Sequence, residues 1–329
     1  MKKIFKSTAL AHSNLAFIKY WGKQNEKLRL PANSSISVNL SNLYTITTVE
    51  FSEKFLRDEI KINQEKNIKE SLRVVKHLDL IRKKFRIKWK AKVLSKNNFP
   101  KAAGFASSAS GFAALTLAAT KAFGLNLSEK ELTILARLGS GSACRSIPDG
   151  FVEWKKGKKS KNSYAYSIFP SEHWKISIFA LVIKNSEKKI SSSEGHRFAL
   201  KSPFFKTRIK KIGEKIFLIK KFIKDKDFLN FGNLVEKEAL EMNAIMFTSE
   251  PSLIYWDEET IKLIKFVYEL RMKKIPVYFT IDAGPNPYII CEEKNEKEIF
   301  KKLRKINSIK NIVINYPASG TKIINKNIF

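Results

Sequence analysis

Residues 100–123 read PKAAGFASSASGFAALTLAATKAF, and hold two charged residues in a chain that carries 62 Lys+Arg among 329 residues. Phe112, Leu115, Ala119 and Ala122 recur at helical spacing. The pattern predicts a buried, Ala-rich helix beginning just after a Gly/Ser segment. Small residues let a backbone approach a ligand closely, and a helix start points unsatisfied N–H groups at the preceding loop. Together they make an anion site in which serine hydroxyls add donors and Mg²⁺ ligands. The competing reading is a tight helix-packing face. The segment is neither a Walker A loop nor a nucleophile elbow, since G-x-x-x-x-G-K-[ST] and G-x-S-x-G are both missing.

The formal charge of +31 invites a polyanion partner. The basic residues are spread along the whole chain, however, and the runs at 155–161, 206–224 and 301–310 are mixed with Ile, Phe and Asn. No RNP, KH or zinc-finger pattern accompanies them. Solvated helix faces account for such runs, so specific nucleic-acid binding is not expected. The 43% hydrophobic content supports a packed core. No run approaches the ~18 apolar residues of a membrane span. The two cysteines, Cys144 and Cys291, form no CxxC, which favours a reducing, cytoplasmic setting. The basic start and Ala9-Leu10-Ala11 have the outline of a signal peptide, but His12, Ser13 and Asn14 interrupt the apolar stretch.

Residues 44–51 (YTITTVEF) predict a strand and residues 67–86 a charged helix. Ile176 to Ile183 is a continuous apolar run, as in a fully covered strand, and a polar stretch follows it. We therefore place a boundary there, with domains at 1–184 and 185–329. Basic amphipathic helices are expected at 203–247. A further helix is expected at 258–272, with Asp257 as N-cap. A strand follows at 276–281, then the turn Asp282-Ala283-Gly284-Pro285-Asn286.

Three more segments carry candidate chemistry. In NLAFIKYWGK (14–23), Tyr20 and Lys23 at i and i+3 can reach one anionic group, although such residues commonly serve packing and surface. Asp282, held in a tight turn by two strands, can act as a general base or simply bond its own backbone. Arg145 in GSGSACRS (139–146) offers a planar fork for a carboxylate or phosphate, or lies at the surface.

These four segments, in this order, resemble the mevalonate diphosphate decarboxylases of the GHMP kinase superfamily. The resemblance covers nearly the whole chain: IKYWGK at 18–23, NSSISV at 33–38, FPKAAGFASSASG at 99–111, ARLGSGSACRSIPDGFVEW at 136–154 and PVYFTIDAGPN at 276–286. It implies an α+β fold, with an N-terminal half like ribosomal protein S5 domain 2, a ferredoxin-like C-terminal half and the active site in the cleft between them. It implies ATP-dependent decarboxylation of mevalonate 5-diphosphate to isopentenyl diphosphate, with ATP and Mg²⁺ as cofactors and a cytoplasmic homodimer.

Carried onto this chain, the resemblance makes Asp282 the group acting on the 3-hydroxyl and Arg145 the grip on the substrate carboxylate. Tyr20 and Lys23 hold the diphosphate, with Lys23 also compensating Asp282. Asn14, Ser140, Ser142 and Ser192 line the substrate side, and Ser191 to Ser193 belong to a mobile loop closing over the nucleotide. Ala103, Gly104, Ala106, Ser107, Ser108 and Ser110 cradle ATP, and Ser107 ligates the metal. The chain departs from the family at Phe105, at Pro148-Asp149, and at Glu194 and His196 in the serine loop. Within the superfamily, a phosphomevalonate decarboxylase and a mevalonate 3-kinase stay open as alternatives. Outside it, so does a polyanion-binding protein on an inactive scaffold.

Overall fold

The computed structural model describes residues 4–63, 67–99, 107–183 and 190–329. The chain opens with β1 (Ile4–Ile18), a short hairpin of β2 (Lys23–Asn25) and β3 (Leu30–Pro31), and β4 (Ser35–Ser52). Then come β5 (Glu59–Ile62), α1 (Ile68–Phe85), β6 (Lys90–Asn97), α2 (Ser107–Ala122), α3 (Glu129–Gly139), β7 (Phe151–Trp154) and β8 (Ala165–Phe169). The later part holds β9 (Ile176–Val182), α4 (Ser192–Phe198), α5 (Phe205–Asp225), α6 (Phe228–Phe247), α7 (Glu258–Met272), β10 (Val277–Ile281), β11 (Pro287–Glu292), α8 (Glu296–Leu303), β12 (Asn311–Asn315) and β13 (Lys322–Ile323).

The helix ends follow local chemistry. Asn67 caps α1 by accepting from the Glu70 N–H, and Arg86 ends it in the left-handed region at φ 55°. Asp257 and Thr260 form a reciprocal capping box at the start of α7. The Ala-rich helix α2 is buried at Phe112, Leu115, Ala119 and Ala122, and at Ala113, Ala114 and Ala118 as well. A helix apolar all round is one enclosed on most sides.

One sheet carries the order β13-β1-β4-β6-β5, with β7 and β8 added beside β4. The other is antiparallel, ordered β10-β11-β9-β12. With α5, α6 and α7 between β9 and β10, and α8 between β11 and β12, it is the split βαβ pattern of a ferredoxin-like half. The apolar run Ile176–Val182 is buried throughout because β9 is the centre of this second sheet. A boundary near residue 184 would separate β9 from the strands it bonds. The chain also crosses back: β13 pairs with β1 through Ala9↔Ile323.

The β1–β4 pair belongs to both cores. Ala9 and Ala11 pack with α2 in one, whereas Leu15, Phe17 and Ile18 pack with α6 and the second sheet in the other. The segment that leaves β1 at Ile18 therefore emerges where the two cores meet, and the site lies there. Among the described residues no helix is long and apolar enough to cross a membrane.

The contact of α1 with α2 contains His77, which is 1% exposed. Thr116 Oγ1 donates to the Phe112 carbonyl, so it accepts from His77 Nε2 at 2.8 Å. Burial, with a smaller push from Arg29, lowers its pKa from 6.5 to about 3. The folded pKa is the depressed one, so the unfolded chain binds the extra proton below pH 6.5 and stability falls as the solution is acidified. Between pH 7 and pH 5 His77 should cost about 2 kcal/mol. Urea unfolding should show wild type losing about that much more than His77→Gln over this interval. Equal losses would contradict the assignment.

Candidate active site

The segment after β1 is clamped by charge from the other half of the chain. The Lys19 N–H donates to Glu238 Oε1 at 3.2 Å, and the Lys19 carbonyl accepts from Arg208 Nη2 at 3.0 Å and Asn33 Nδ2 at 2.9 Å. Glu238, fully buried on α6, also pairs with Arg208 and Lys215 of α5. Glu238 is shared by these two buried cations, Lys215 takes Glu241 as a second carboxylate, and together with Asn33 the cluster fixes both backbone polar groups of Lys19.

The Lys19 side chain, 1% exposed, reaches across to the turn after β10 and donates to Asp282 Oδ1 at 2.8 Å. Burial lowers the Lys19 pKa, the Asp282 charge and hydrogen bond raise it, and Arg145 opposes protonation from the other side. The Asp282 carboxylate is 36% exposed, so its other face is open to a ligand. Its side chain thus serves the cleft, while its backbone carbonyl takes the turn bond from the Gly284 N–H. Lys23 was expected to compensate Asp282; the structure gives that place to Lys19. Lys23 lies beyond the turn at Gly22 and donates instead to Glu26 Oε2 at 2.8 Å and the Ser193 carbonyl at 3.4 Å.

Arg145 sits in a 3₁₀ turn, Gly141–Ser146, and is 4% exposed. Its Nε and Nη2 donate to Asn14 Oδ1 at 3.2 and 3.0 Å, and Nη1 donates to Ser35 Oγ at 3.0 Å. Asn14 is itself held by the Ser142 carbonyl and Ser146 Oγ. These partners are neutral. They orient the guanidinium without cancelling its charge, and the Asp282 attraction acts from longer range. A buried cation with neutral partners is a site prepared for an anion.

Around these groups is a cleft of about 130 Å³ whose wall carries Lys19, Lys23, Arg29, Arg145 and Asp282. Four cations against one carboxylate set it for a multiply charged anion. Asn14, Tyr20, Ser140, Ser142, Ser192 and Ser108 also line it. Tyr20 packs edge-on against Trp154 at 4.6 Å, and its buried Oη has no hydrogen-bond partner among the described residues. A side chain at Gly141 would come within 2.8 Å of that oxygen.

The nucleotide segment divides. Ala103, Gly104 and Ala106 lie outside the described residues. Ser107 and Ser108 stand in the first turn of α2, and Ser108 Oγ is 3.1 Å from Ser140 Oγ. Ser110 was expected to face ATP but is fully buried, joined to Ser13 Oγ at 3.2 Å and Thr45 Oγ1 at 2.7 Å. It fastens α2 to the sheet. Among the described residues no group of three or more His, Cys, Asp or Glu side chains could hold a metal. The hydroxyls of Ser107 and Ser108 are hard donors suited to Mg²⁺, an ion that fills most of its shell with phosphate oxygens and water.

Sequence reasoning missed Lys19 and Arg29, and singled out His196 only as a departure from the family pattern. Lys19 was adjacent to the named Tyr20, four residues before Lys23, and that duplication was the available signal. Glu238→Gln should leave Arg208 and Lys215 without their shared anion and cost about 3 kcal/mol. A urea midpoint equal to that of wild type would contradict this.

Comparison with known proteins agrees with this geometry. Residues 11–165 match the model of a diphosphomevalonate decarboxylase-like N-terminal domain, and residues 178–326 that of a mevalonate 5-diphosphate decarboxylase C-terminal domain. The diphosphomevalonate decarboxylase of Debaryomyces hansenii is 37% identical over 90% of this chain and 82% of its own length. That of Saccharomyces cerevisiae is 35% identical over 92% and 82%. The mevalonate diphosphate decarboxylase structure from Staphylococcus aureus, 39% identical, superposes with a TM-score of 0.93 over 98% of this chain and 99% of that one. A structure of MDDEF in complex with MVAPP, AMPPCP and magnesium, 37% identical, gives 0.93 over 98% and 100%. The two sheets therefore make up the GHMP kinase fold, and the chain belongs to the diphosphomevalonate decarboxylase family.

Proposed function

We propose that this protein catalyses the ATP-dependent decarboxylation of mevalonate 5-diphosphate to isopentenyl diphosphate. The observation that carries the reading is the Lys19–Asp282 pair opening on the same cleft as the buried Arg145. Family membership supports the substrate. ATP supplies the phosphoryl group that makes the tertiary 3-hydroxyl a leaving group, and Mg²⁺ supplies charge neutralisation on its phosphates; Ser107 and Ser108 at the start of α2 would meet those phosphates and the ion. Family membership and two free, buried cysteines support a reducing, cytoplasmic setting; family membership alone supports the homodimer.

Each residue has a task in this scheme. Asp282 orients the hydroxyl and accepts its proton as the phosphoryl group is transferred. Lys19 keeps that carboxylate aimed, donating to it at 2.8 Å from a backbone clamped by the other half. Phosphate then leaves C3 with the bonding electrons, and the electron pair of the bond to the carboxylate forms the new double bond as CO₂ departs. Arg145 grips the carboxylate and fixes its plane, so that the breaking bond can align with the electron-poor C3. Lys23, Arg29 and Tyr20 hold the diphosphate end.

Purified protein with ATP, Mg²⁺ and mevalonate 5-diphosphate should release CO₂, ADP and phosphate. Asp282→Asn should lower kcat by ~10²-fold or more, and Arg145→Lys should slow CO₂ release and raise the substrate KM. Turnover of the monophosphate alone would replace the substrate, and phosphorylation without CO₂ would replace the reaction. An Asp282→Asn enzyme as fast as wild type would contradict the mechanism.

A further inference from the structure

His196 lies at the inner face of α4 and is 7% exposed. The Gly22 N–H donates to its Nδ1 at 2.9 Å. Because the donor is a backbone amide, Nδ1 carries the lone pair and the ring proton is on Nε2. The ring lies between Tyr20 and Trp21, with centroids 4.2 and 4.5 Å away. Burial comes first, and the charges of Lys23, Arg29 and Arg145 follow, in holding its pKa well below 6.5, so the imidazole is neutral at pH 7. Gly22 lies at φ +87°, and a side chain there would strike the Phe205 ring at 2.7 Å. The turn that presents its amide to His196 therefore requires glycine.

The ring also belongs to the cleft wall, at the part that holds Lys23 and Arg29. Lys19, Asp282 and Arg145 are assigned to the 3-hydroxyl and the carboxylate, so the remaining cations face the other end of the substrate. That end already has one unexplained group, the buried Oη of Tyr20, which has no partner among the described residues and whose ring touches His196. A diphosphate has enough acceptor oxygens to take a hydrogen bond from each of these groups.

We propose that His196 is a ligand of the substrate's diphosphate, donating Nε2–H to a phosphate oxygen while its Nδ1 seats the serine segment on Gly22. The assignment rests on the substrate proposed above. One ring thereby joins the seating of the segment against the cleft to recognition of the anion inside it. A side chain without a ring N–H at this position could seat the segment by packing but could not offer the donor.

The two ring nitrogens can be tested apart. In His196→Asn the amide oxygen replaces Nδ1 as acceptor from Gly22 but nothing replaces Nε2–H. In His196→Gln the amide nitrogen replaces Nε2–H but the Gly22 N–H loses its acceptor. Calorimetric titration with inorganic pyrophosphate needs no turnover. The Asn variant should bind it about tenfold more weakly than the Gln variant, as expected for one hydrogen bond to a charged group. With the wild-type substrate, the KM for mevalonate 5-diphosphate should follow the same order, and the KM for ATP should not. A Gln variant that binds pyrophosphate no more tightly than the Asn variant overturns the assignment. Wild-type protein that binds pyrophosphate with the expected Asn and Gln difference, yet turns over no mevalonate 5-diphosphate, would sink the substrate reading and leave the anion site standing.

Discussion

A lysine that is 1% exposed meets an aspartate from a different sheet at 2.8 Å. Burying an ammonium is costly, and the cost is offset only if its partner is close and well aimed. The fold supplies both conditions. Lys19 follows Ile18 at the end of a strand shared by two cores, and its backbone is pinned by Glu238, Arg208 and Asn33. Asp282 follows Ile281, a fully buried residue of β10. Each partner thus sits one residue beyond rigid structure, and the pair fixes how the two halves of the cleft face each other.

The same site is deliberately undercompensated elsewhere. Among the described residues, Arg145 is oriented by neutral oxygens, Tyr20 Oη has no partner, and Lys23 finds a carboxylate only in the half-exposed Glu26. Unmet buried polarity of this kind destabilises a free protein, and a polyanionic substrate relieves it on binding. The positive character of the cleft is therefore local and built from fixed side chains. It differs in kind from the +31 of the chain, whose lysines lie largely on solvated helix faces such as that of α5.

Much of this could be read in the sequence. Asp257 caps α7 by a rule that acts over three residues, and four short segments brought Arg145, Asp282, Tyr20 and Ser108 to one cleft. What was not legible depends on distance along the chain. Two lysines in IKYWGK are chemically equal. Which one meets Asp282 is decided by where the strand ends and by the turn at Gly22. The clamp of Arg208 and Glu238 on Lys19 joins residues about two hundred positions apart with no local pattern. Ser108 and Ser110 stand on opposite sides of a helix, so only one can face the ligand. The placement of β9 depended on strands more than a hundred residues downstream.

The central claim is that Lys19 and Asp282 act as one unit across the cleft. A double-mutant cycle on kcat/KM, using Lys19→Met, Asp282→Asn and the double variant, measures it directly. The account predicts strong non-additivity: once Lys19 is gone, removing the Asp282 charge costs far less than it does in wild type. Losses that simply add would show the two side chains working independently and would contradict the account.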